Sequence, residues 1–306
     1  MTASQQMNID WIAVDWGTSN LRAWAMTAGR VVDHASSADG MGKLVRGQFE
    51  DALIRLIEPW LGAGQVPVIA CGMVGSRQGW YESPYRTTPC TPVQHGTLVQ
   101  VPVKDARLQM MIAPGLKQMT PADVMRGEET QIAGVLASRP DFEGVICLPG
   151  THSKWVHVSA GDVVSFQTFL TGEMFALLSE QSVLRHGMTD GGWQEDAFDR
   201  AIADMLSQPE KIAARLFTLR AEGLISGLGS AAARARLSGL LIGIELAAAR
   251  PYWLGRAVVL VGAPDLSAHY ARALASQGMT CEQMDATACT IAGLATARGI
   301  LQRAAE

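Results

Sequence analysis

Residues 11–24 read WIAVDWGTSNLRAW, an apolar strand that ends at Asp15 and a Gly-Thr-Ser turn before a second apolar strand begins. Gly17 lets the backbone approach an anion, and Thr18 and Ser19 add hydroxyl donors to the N–H groups of the turn. The pattern predicts a hairpin whose turn grips phosphate, with Asp15 placed to hold a metal ion. An ordinary hairpin with a solvated aspartate uses the same residue types, so this stretch alone leaves both interpretations open.

A second stretch, VICLPGTHSKWV at residues 145–156, repeats this plan in the other half of the chain. An apolar run leads into Gly150 and Thr151, Ser153 follows closely, and the return strand carries a tryptophan. His152 and Lys154 flank the turn and are candidates for contacts to phosphate or carboxylate, although a lone histidine is more often simply hydrogen bonded. Two similar hairpins favour a duplicated fold that holds a phosphate-bearing ligand.

Composition limits the class of protein. The chain has 306 residues, 48% of them hydrophobic and 18% charged, which is enough for two buried cores. The net charge of −4 and the scattered basic residues argue against polynucleotide binding. The N-terminus lacks signal-peptide features and the five cysteines lack C-x-x-C spacing. We therefore expect a soluble cytoplasmic protein with buried, reduced thiols.

The order of predicted elements is that of a mixed-sheet α/β fold rather than a Rossmann unit or a TIM barrel. Three short strands fill residues 11–36, an amphipathic helix follows Phe49, and the apolar run at 66–73 predicts a strand covered on both faces. The meander recurs after residue 145. A helix is expected to begin near Asp123, whereas residues 84–121 show no clear pattern.

After residue 172 the sequence predicts mainly helices, with approximate boundaries. Helices are expected over residues 172–186, 194–206 and 208–222, a buried strand over 256–264, and a closing helix from about Asp285. GLGSAA at 227–232 fits G-x-G-x-x-A, but a helical pattern precedes it where a dinucleotide site needs a strand. These glycines are therefore interpreted as helix-packing positions.

Two segments offer side chains for catalysis and substrate recognition. MRGEETQ contains Glu128 and Glu129, which point about 100° apart on a helix, so only one can face a site. GMVGSRQGW contains a hydroxyl at Ser76, a planar cation suited to carboxylate at Arg77 and an apolar wall at Trp80. A solvated helix face and an ordinary surface loop remain the alternatives for these segments.

Five segments in this order, AVDWGTSNLRAW, GMVGSRQGW, DVMRGEETQ, LPGTHSKWV and LVGAPDLSAHY, resemble the 2-dehydro-3-deoxygalactonokinases of the actin-like ATPase superfamily of sugar kinases. The resemblance covers nearly the whole chain. It implies an α/β protein of two RNase H-like domains with mixed sheets around a central cleft. It also implies that ATP and Mg²⁺ bind at the base of this cleft. We expect residues 1–122 to carry the sugar-acid side and the first phosphate turn, and 123–306 the second turn and the adenosine site.

Carried over by position, the resemblance implies a role for each segment. Asp15 would lie near Mg²⁺, and the two turns would contact the phosphates through Gly17, Thr18, Ser19, Gly150, Thr151 and Ser153. Gly262 would lie in the adenosine motif, where the superfamily often has paired glycines but this chain continues with Ala263 and Pro264. In related carbohydrate kinases a Gly-Asp pair precedes the second phosphate turn, and Gly127-Glu128 occupies that place here. The resemblance therefore makes Glu128 the first choice of catalytic base, with Glu129 and Asp15 as alternatives.

The implied activity is transfer of the ATP γ-phosphoryl group to the 6-hydroxyl of 2-dehydro-3-deoxy-D-galactonate, in galactonate catabolism. Arg77 and Lys154 are the expected anchors of the sugar-acid carboxylate. Two alternatives stay open: a kinase for another 2-keto-3-deoxy acid, such as the gluconate epimer, and a non-enzymatic nucleotide-dependent switch on the same fold. The sequence leaves a homodimer open as well.

Overall fold

A computed structural model describes residues 8–94, 96–189 and 191–305. The chain forms two compact units: unit 1 comprises Met1–Phe142, Ser159–Val164 and Ala286–Glu306, and unit 2 comprises Glu143–Val158 and Ser165–Asp285. The expectation that residues 1–122 bind the sugar acid and residues 123–306 bind adenosine stays a prediction, because the two compact units do not show which ligand each one binds.

Both strands and helices occur in each part of the chain, as in an α/β fold. The strands are β1 (Trp11–Trp16), β2 (Leu21–Thr27), β3 (Arg30–Ser37), β4 (Val66–Gly72), β5 (Arg86–Thr87), β6 (Val99–Gln100), β7 (Leu108–Ile112), β8 (Leu116–Met119), β9 (Ala122–Met125), β10 (Gly144–Leu148), β11 (Ser153–Ser159), β12 (Asp162–Phe169), β13 (Val258–Gly262) and β14 (Cys281–Asp285). The helices are α1 (Phe49–Ile57), α2 (Glu128–Ser138), α3 (Thr171–Glu180), α4 (Glu195–Ser207), α5 (Ile212–Ile225), α6 (Ser230–Ala248), α7 (Arg250–Trp253), α8 (Pro264–Ala275) and α9 (Ala286–Ala305).

The main sheet of unit 1 has the order β3-β2-β1-β4-β7-β6. Strand β1 pairs antiparallel with β2 and parallel with β4, and β4 pairs parallel with β7. Ile12 and Val14 share one buried cluster with Phe49 of α1. Ala13, which points to the opposite face, shares another with Leu294 of α9. Helices therefore cover both faces of the central strands, as the apolar run at 66–73 predicted.

The sheet of unit 2 has the order β12-β11-β10-β13-β14, which repeats the first five strands of the unit 1 sheet. Strand β10 pairs antiparallel with β11 and parallel with β13, and β13 pairs parallel with β14. Val145 and Trp155 belong to a buried cluster with Phe198 of α4 and Tyr270 of α8. The predicted duplication into two mixed-sheet α/β halves is thereby confirmed.

Residues 84–121, which showed no clear pattern in the sequence, contribute β7 and β6, the last two strands at one end of the unit 1 sheet. They also contribute β5 and β8 of a small sheet ordered β5-β8-β9. Strand β9 contains Asp123 and ends at Met125, directly before the first turn of α2. The prediction of a helix start near Asp123 is therefore wrong. Gly127 is the N-cap of α2 with φ 108°, a conformation that interrupts helical geometry at this residue.

Helices α2 and α9 cross with their backbones in contact. A Cβ added to Gly134 would lie 1.9 Å from the carbonyl oxygen of Cys289, and one added to Gly293 would lie 1.9 Å from that of Thr130. Only glycine fits at these two positions, so the close packing of α2 on α9 depends on both residues.

The remaining sequence predictions for the fold agree closely with the structure. The helix after Phe49, the last buried strand and the closing helix are all present, and GLGSAA leads into α6 after the helix α5 rather than after a strand. Cys71, Cys147 and Cys289 are buried as expected, whereas Cys90 and Cys281 are partly exposed. None of the helices in the described part of the chain combines the length and hydropathy that a bilayer crossing requires.

Candidate active site

The first turn, residues 17–20 between β1 and β2, is held by the segment that follows β3. Met41 N–H donates to the carbonyl oxygen of Gly17 at 2.9 Å, and Gly42 N–H donates to that of Thr18 at 2.9 Å. A Cβ on Gly40 would lie 2.2 Å from the carbonyl carbon of Ser19, so this brace requires glycine. Backbone contacts thus fix the turn while Thr18 and Ser19 stay exposed for a ligand.

Asp15 faces Arg22 across the hairpin, where the two residues are register partners. Their side chains form an ion pair, with 17% of the Asp15 side chain and 40% of the Arg22 side chain exposed. Arg22 also donates to the Thr287 hydroxyl at 3.3 Å. Sequence reasoning did not single out Arg22, although the register of a four-residue turn would have placed it opposite Asp15. The carboxylate is therefore held in place and partly neutralised.

Two glycines with positive φ leave space beside Asp15. Gly72, at the end of β4, has φ 92°, and a Cβ there would lie 2.8 Å from the Trp16 carbonyl oxygen and 3.3 Å from Asp15 Oδ1. A Cβ on Gly127 would lie 3.3 Å from the Cα of Gly72. The ends of β1 and β4 and the start of α2 therefore meet around the Asp15 carboxylate, with no side chain on either glycine to fill the space.

Glu128 and Glu129 open α2 and fold back onto the backbone before it. Arg126 N–H donates to Glu128 Oε2 at 3.0 Å, and Gly127 N–H donates to Glu129 Oε2 at 2.7 Å. Glu129 is fully buried, and burial together with the neighbouring charge of Glu128 raises the pKa of Glu129 to about 8. Glu128 is only partly buried. Of the two carboxylates, Glu128 is the one that solvent and a ligand can reach.

The loop GMVGSRQGW does not gather its three candidates at one point. Ser76 is buried, and its hydroxyl has no hydrogen-bond partner in the part of the chain that the structure describes. Arg77 is exposed. Trp80 packs on Trp16 and Phe49 with ring centroids 6.1 and 6.4 Å away, so it belongs to the wall of the core.

The second turn, between β10 and β11, is braced in a similar way by the start of α3. Glu173 N–H donates to the carbonyl oxygen of Thr151 at 2.9 Å, and a Cβ on Gly172 would lie 2.4 Å from that of Gly150. A Cβ added to Gly150 would meet nothing within 4 Å. The turn is therefore fixed from behind and open in front, which suits the close approach of an anion.

The side chains around this turn are already engaged. Ser153 Oγ lies 2.9 Å from Tyr270 Oη, and His152 Nε2 lies 2.6 Å from a carboxylate oxygen of Glu173 in a half-exposed pair. Lys154 is buried within β11 and only 4% exposed. The hydroxyl of Thr151, by contrast, is on an exposed residue.

A cavity of about 430 Å³ opens beside the second turn. Gly150 and Thr151 line it together with residues of α3, α6 and α8 and with Trp193, whose ring stacks on that of His269 at a centroid distance of 4.1 Å. Burial lowers the pKa of His269, which favours the neutral ring. Aromatic and apolar walls next to a turn with open space at Gly150 are features that suit a nucleoside phosphate. No sequence pattern indicated this cavity, because its walls come from distant parts of the chain.

Gly262 does not line that cavity. It ends β13, and a Cβ there would lie 2.8 Å from Ser267 Oγ and 3.4 Å from the carbonyl oxygen of Pro149. The glycine lets α8 and the second turn pack closely on the strand. Asp265, three residues later, does line the cavity.

Buried Glu245 of α6 connects the walls of the cavity to the hairpin. Its carboxylate accepts hydrogen bonds from Trp155 Nε1 at 2.7 Å and from Tyr270 Oη at 2.7 Å, and also from the Thr171 hydroxyl. Burial raises the pKa of Glu245 although these three donors oppose the shift. Thr171 and Tyr270 both line the cavity.

Comparisons with known proteins agree on one family. Residues 15–297 match the family model described as 2-keto-3-deoxy-galactonokinase. A Rhizobium meliloti (strain 1021) protein assigned as a 2-dehydro-3-deoxygalactonokinase is 37% identical over 293 residues, covering 93% of this chain and 95% of the relative. The 2-dehydro-3-deoxygalactonokinase of Escherichia coli (strain K12) is 34% identical over 279 residues, covering 90% and 92%.

One solved structure is similar over nearly the whole chain. It is the crystal structure of a Sinorhizobium meliloti protein assigned as a 2-dehydro-3-deoxygalactonokinase, with a TM-score of 0.89 and 36% identity. The match covers 95% of this chain and 99% of that one.

Proposed function

Because the chain belongs to the 2-keto-3-deoxy-galactonokinase family, we propose that it transfers the γ-phosphoryl group of ATP to the 6-hydroxyl of 2-dehydro-3-deoxy-D-galactonate, in galactonate catabolism. The observation that carries the proposal is the repeated hairpin: each unit presents a braced Gly-Thr turn that is open towards a ligand. In phosphoryl transfer the protein chiefly positions the reactants and neutralises charge, which is what such turns can do.

In unit 1, the turn at Gly17, Thr18 and Ser19 would contact the phosphates that react, with Asp15 beside a divalent cation. Asp15 suits Mg²⁺, because the two glycines next to its carboxylate leave a cradle that a Cβ would fill. Across the described ranges, no three histidine, cysteine or acidic side chains gather into a complete metal cage. Mg²⁺ does not need one, since one or two carboxylates with phosphate oxygens and water usually suffice. When bound, the cation would neutralise charge on the phosphoryl group.

Glu128 is our candidate for the general base. It would orient the attacking hydroxyl and accept its proton as the bond to phosphorus forms. Glu128 is partly exposed, whereas Glu129 is fully buried with a raised pKa, so Glu128 is better placed to meet a substrate. Arg22 would keep the Asp15 carboxylate oriented through their ion pair.

In unit 2, the turn at Gly150, Thr151 and Ser153 would hold the other phosphates, and the adjoining cavity would take the nucleoside. Its volume of about 430 Å³ lies within the range of small-molecule sites. Gly262 would act indirectly, since it supports the packing behind the turn. His152 stays a candidate for phosphate contact, in competition with Glu173.

Arg77, Ser76, Trp80 and Lys154 remain predicted contacts of the sugar acid. The gluconate epimer has the same carboxylate and keto group as the galactonate compound and differs in the configuration at one sugar carbon. The same predicted contacts would therefore serve either acceptor. We also propose a cytoplasmic location, where thiols stay reduced. A homodimer remains open as the assembly state.

A coupled ADP-release assay over a panel of sugar acids tests the proposal. We expect ATP turnover that depends on a 2-keto-3-deoxy acid, with the galactonate compound as the substrate of highest kcat/KM. Mass spectrometry should then place the phosphate on the primary hydroxyl. Slow ATP hydrolysis that ignores every sugar acid would instead identify a nucleotide-dependent switch.

A further inference from the structure

Arg126 is a buried cation that the described protein does not neutralise. It follows β9 directly and precedes the N-cap of α2, and it is only 8% exposed. Its Nη2 donates to the carbonyl oxygen of Ser83 at 2.7 Å. Its Nε and Nη1 have no hydrogen-bond partner, and no carboxylate of the described residues forms an ion pair with it. Buried arginines are normally paired, because an unmatched charge costs several kcal/mol, so this group is prepared for an anion.

The guanidinium lies in a slot that is built around it. The ring of Tyr85 covers one face, with Cζ of Arg126 4.3 Å from the ring centroid. A Cβ on Gly75 would lie 2.9 Å from Nη1, and one on Gly115 would lie 2.7 Å from the ring of Tyr85. The ring of Tyr85 therefore packs on the planar cation, and the two glycines leave the room that the ring and the guanidinium occupy.

Two further unpartnered donors lie next to this slot. Ser76 and Ser83 are 5% and 1% exposed, and neither hydroxyl has a hydrogen-bond partner in the described residues. Both are close to Gly75: Ser76 is its neighbour in the chain, and Ser83 Cβ would lie 3.3 Å from a Cβ built on Gly75. Leaving such groups unsatisfied costs about 1–3 kcal/mol each, so several in one place indicate a missing ligand.

Arg126 also acts electrostatically on the buried carboxyl group of Glu129. The cation lowers the pKa of Glu129, but burial and Glu128 outweigh it and leave that pKa at about 8. Glu129 is therefore mostly protonated at neutral pH and does not compensate the charge. The ligand that fits the slot is a small monoanion with further acceptor oxygens, which describes the carboxylate and adjacent keto group of a 2-keto acid.

We propose that Arg126, with Ser76 and Ser83, binds the 2-keto carboxylate end of the sugar acid. The proposal rests on the proposed function and moves the carboxylate anchor away from Arg77, which is exposed. Arg126 is also well connected to the candidate base, since its backbone N–H donates to Glu128. Binding of the acid end is thereby linked to the residue that would act at the far hydroxyl.

Isothermal titration tests the proposal with two ligands that differ in charge: 2-dehydro-3-deoxy-D-galactonate and its neutral primary amide. The wild-type protein should bind the acid at least about 30-fold more tightly, as expected for a charge-assisted contact. Arg126→Met should lose that preference, with weaker binding of the acid and amide binding within about threefold of wild type. Arg126→Lys should restore part of the preference. Arg30→Met, an exposed arginine of the same unit, is the charge-matched control.

Three results would overturn the proposal. The first is a wild-type protein that binds acid and amide equally, which decides the matter even if the variants do not fold. The second is an Arg126→Met protein that keeps the preference for the acid. The third is an equal loss of acid and amide, which would indicate a role in shape only. If the acid binds through Arg126 but stimulates no ADP release, the proposed kinase function fails while the carboxylate site stands.

Discussion

The hairpins of the two units share a backbone plan and differ in the residue pair that lies one step from the turn. In unit 1 this pair is Asp15 and Arg22, charged and partly exposed. In unit 2 it is Cys147 and Trp155, both fully buried, and the indole of Trp155 donates to Glu245. The first hairpin therefore keeps charge available at its turn, whereas the second uses the same positions to anchor its turn in the core.

This difference suggests a division of labour within a duplicated fold. Each turn is braced by a glycine from another segment, Gly40 in unit 1 and Gly172 in unit 2. In unit 1 the Asp15 carboxylate lies one step from the turn and pairs with Arg22, whereas in unit 2 a cavity with aromatic and apolar walls adjoins the turn. We infer that the first hairpin serves the reacting phosphate and the second the body of the nucleotide.

Removing the negative charge of Asp15, which has no counterpart at the same position of the second hairpin, should have the largest effect on kcat. Asp15→Asn should lower kcat by about 10³-fold, because the variant loses the carboxylate that would position the cation. The melting temperature should change little, since asparagine has the same shape. Steady-state ADP release measures this, with Asp51→Asn on the exposed side of α1 as the control. A kcat within tenfold of wild type would remove Asp15 from the reaction.

Glu128→Gln should have the next largest effect, a fall of about 10²-fold in kcat, which is typical for the loss of a general base. The substrate KM should stay within a few fold, because the amide keeps the hydrogen-bonding shape. Near-normal turnover in this variant, together with a large loss in Glu129→Gln, would transfer the role to Glu129.

Glu129→Gln should change the pH dependence of stability. Because the pKa of about 8 in the folded protein lies above the ordinary glutamate pKa of 4.5, wild-type stability falls as the pH rises between these values. Glutamine does not titrate, so the stability of the variant relative to wild type should rise by about 3 kcal/mol between pH 5.5 and pH 8. Urea unfolding of both proteins across this range measures the difference. A constant difference would mean that Glu129 is ionised in the folded protein.

The smallest effect is expected at the surface of the second turn. His152→Ala removes a half-exposed ion pair with Glu173 and should lower the free energy of unfolding by less than about 1 kcal/mol. Thermal or urea unfolding at pH 6 and pH 8 measures it. A loss above about 2 kcal/mol would show that this pair, rather than the buried contacts of Gly172, holds the turn.

Turn chemistry was the strongest signal in the sequence. Both hairpins, the buried strands and the closing helix follow from local patterns, because Gly-Thr turns and apolar runs carry their information within a few residues. The helix start was misplaced because a positive φ at Gly127 and pairing of β9 with β8 override the helical pattern that precedes it. Such overrides come from tertiary contacts, which one sequence does not display.

The site was less predictable than the fold. Arg77 drew attention as a cation on a loop, but exposure separates it from Arg126, whose burial depends on Tyr85 and two glycines elsewhere in the chain. The cavity of unit 2 likewise combines α3, α6 and α8, which no local pattern connects. Burial and convergence are properties of the folded chain, so the sequence supplied residue types and the structure supplied their surroundings.

The most direct test of the division between the hairpins is the equilibrium affinity for ATP in the absence of sugar acid. Ser238 lines the cavity of unit 2, and Ser238→Phe would fill that space. Binding of ATP to Ser238→Phe should weaken by at least about tenfold, while Asp15→Asn should stay within about fivefold of wild type, because we propose that unit 2 makes most of the contacts to the nucleotide. The reverse pattern, tight binding by Ser238→Phe and a large loss in Asp15→Asn, would contradict the account.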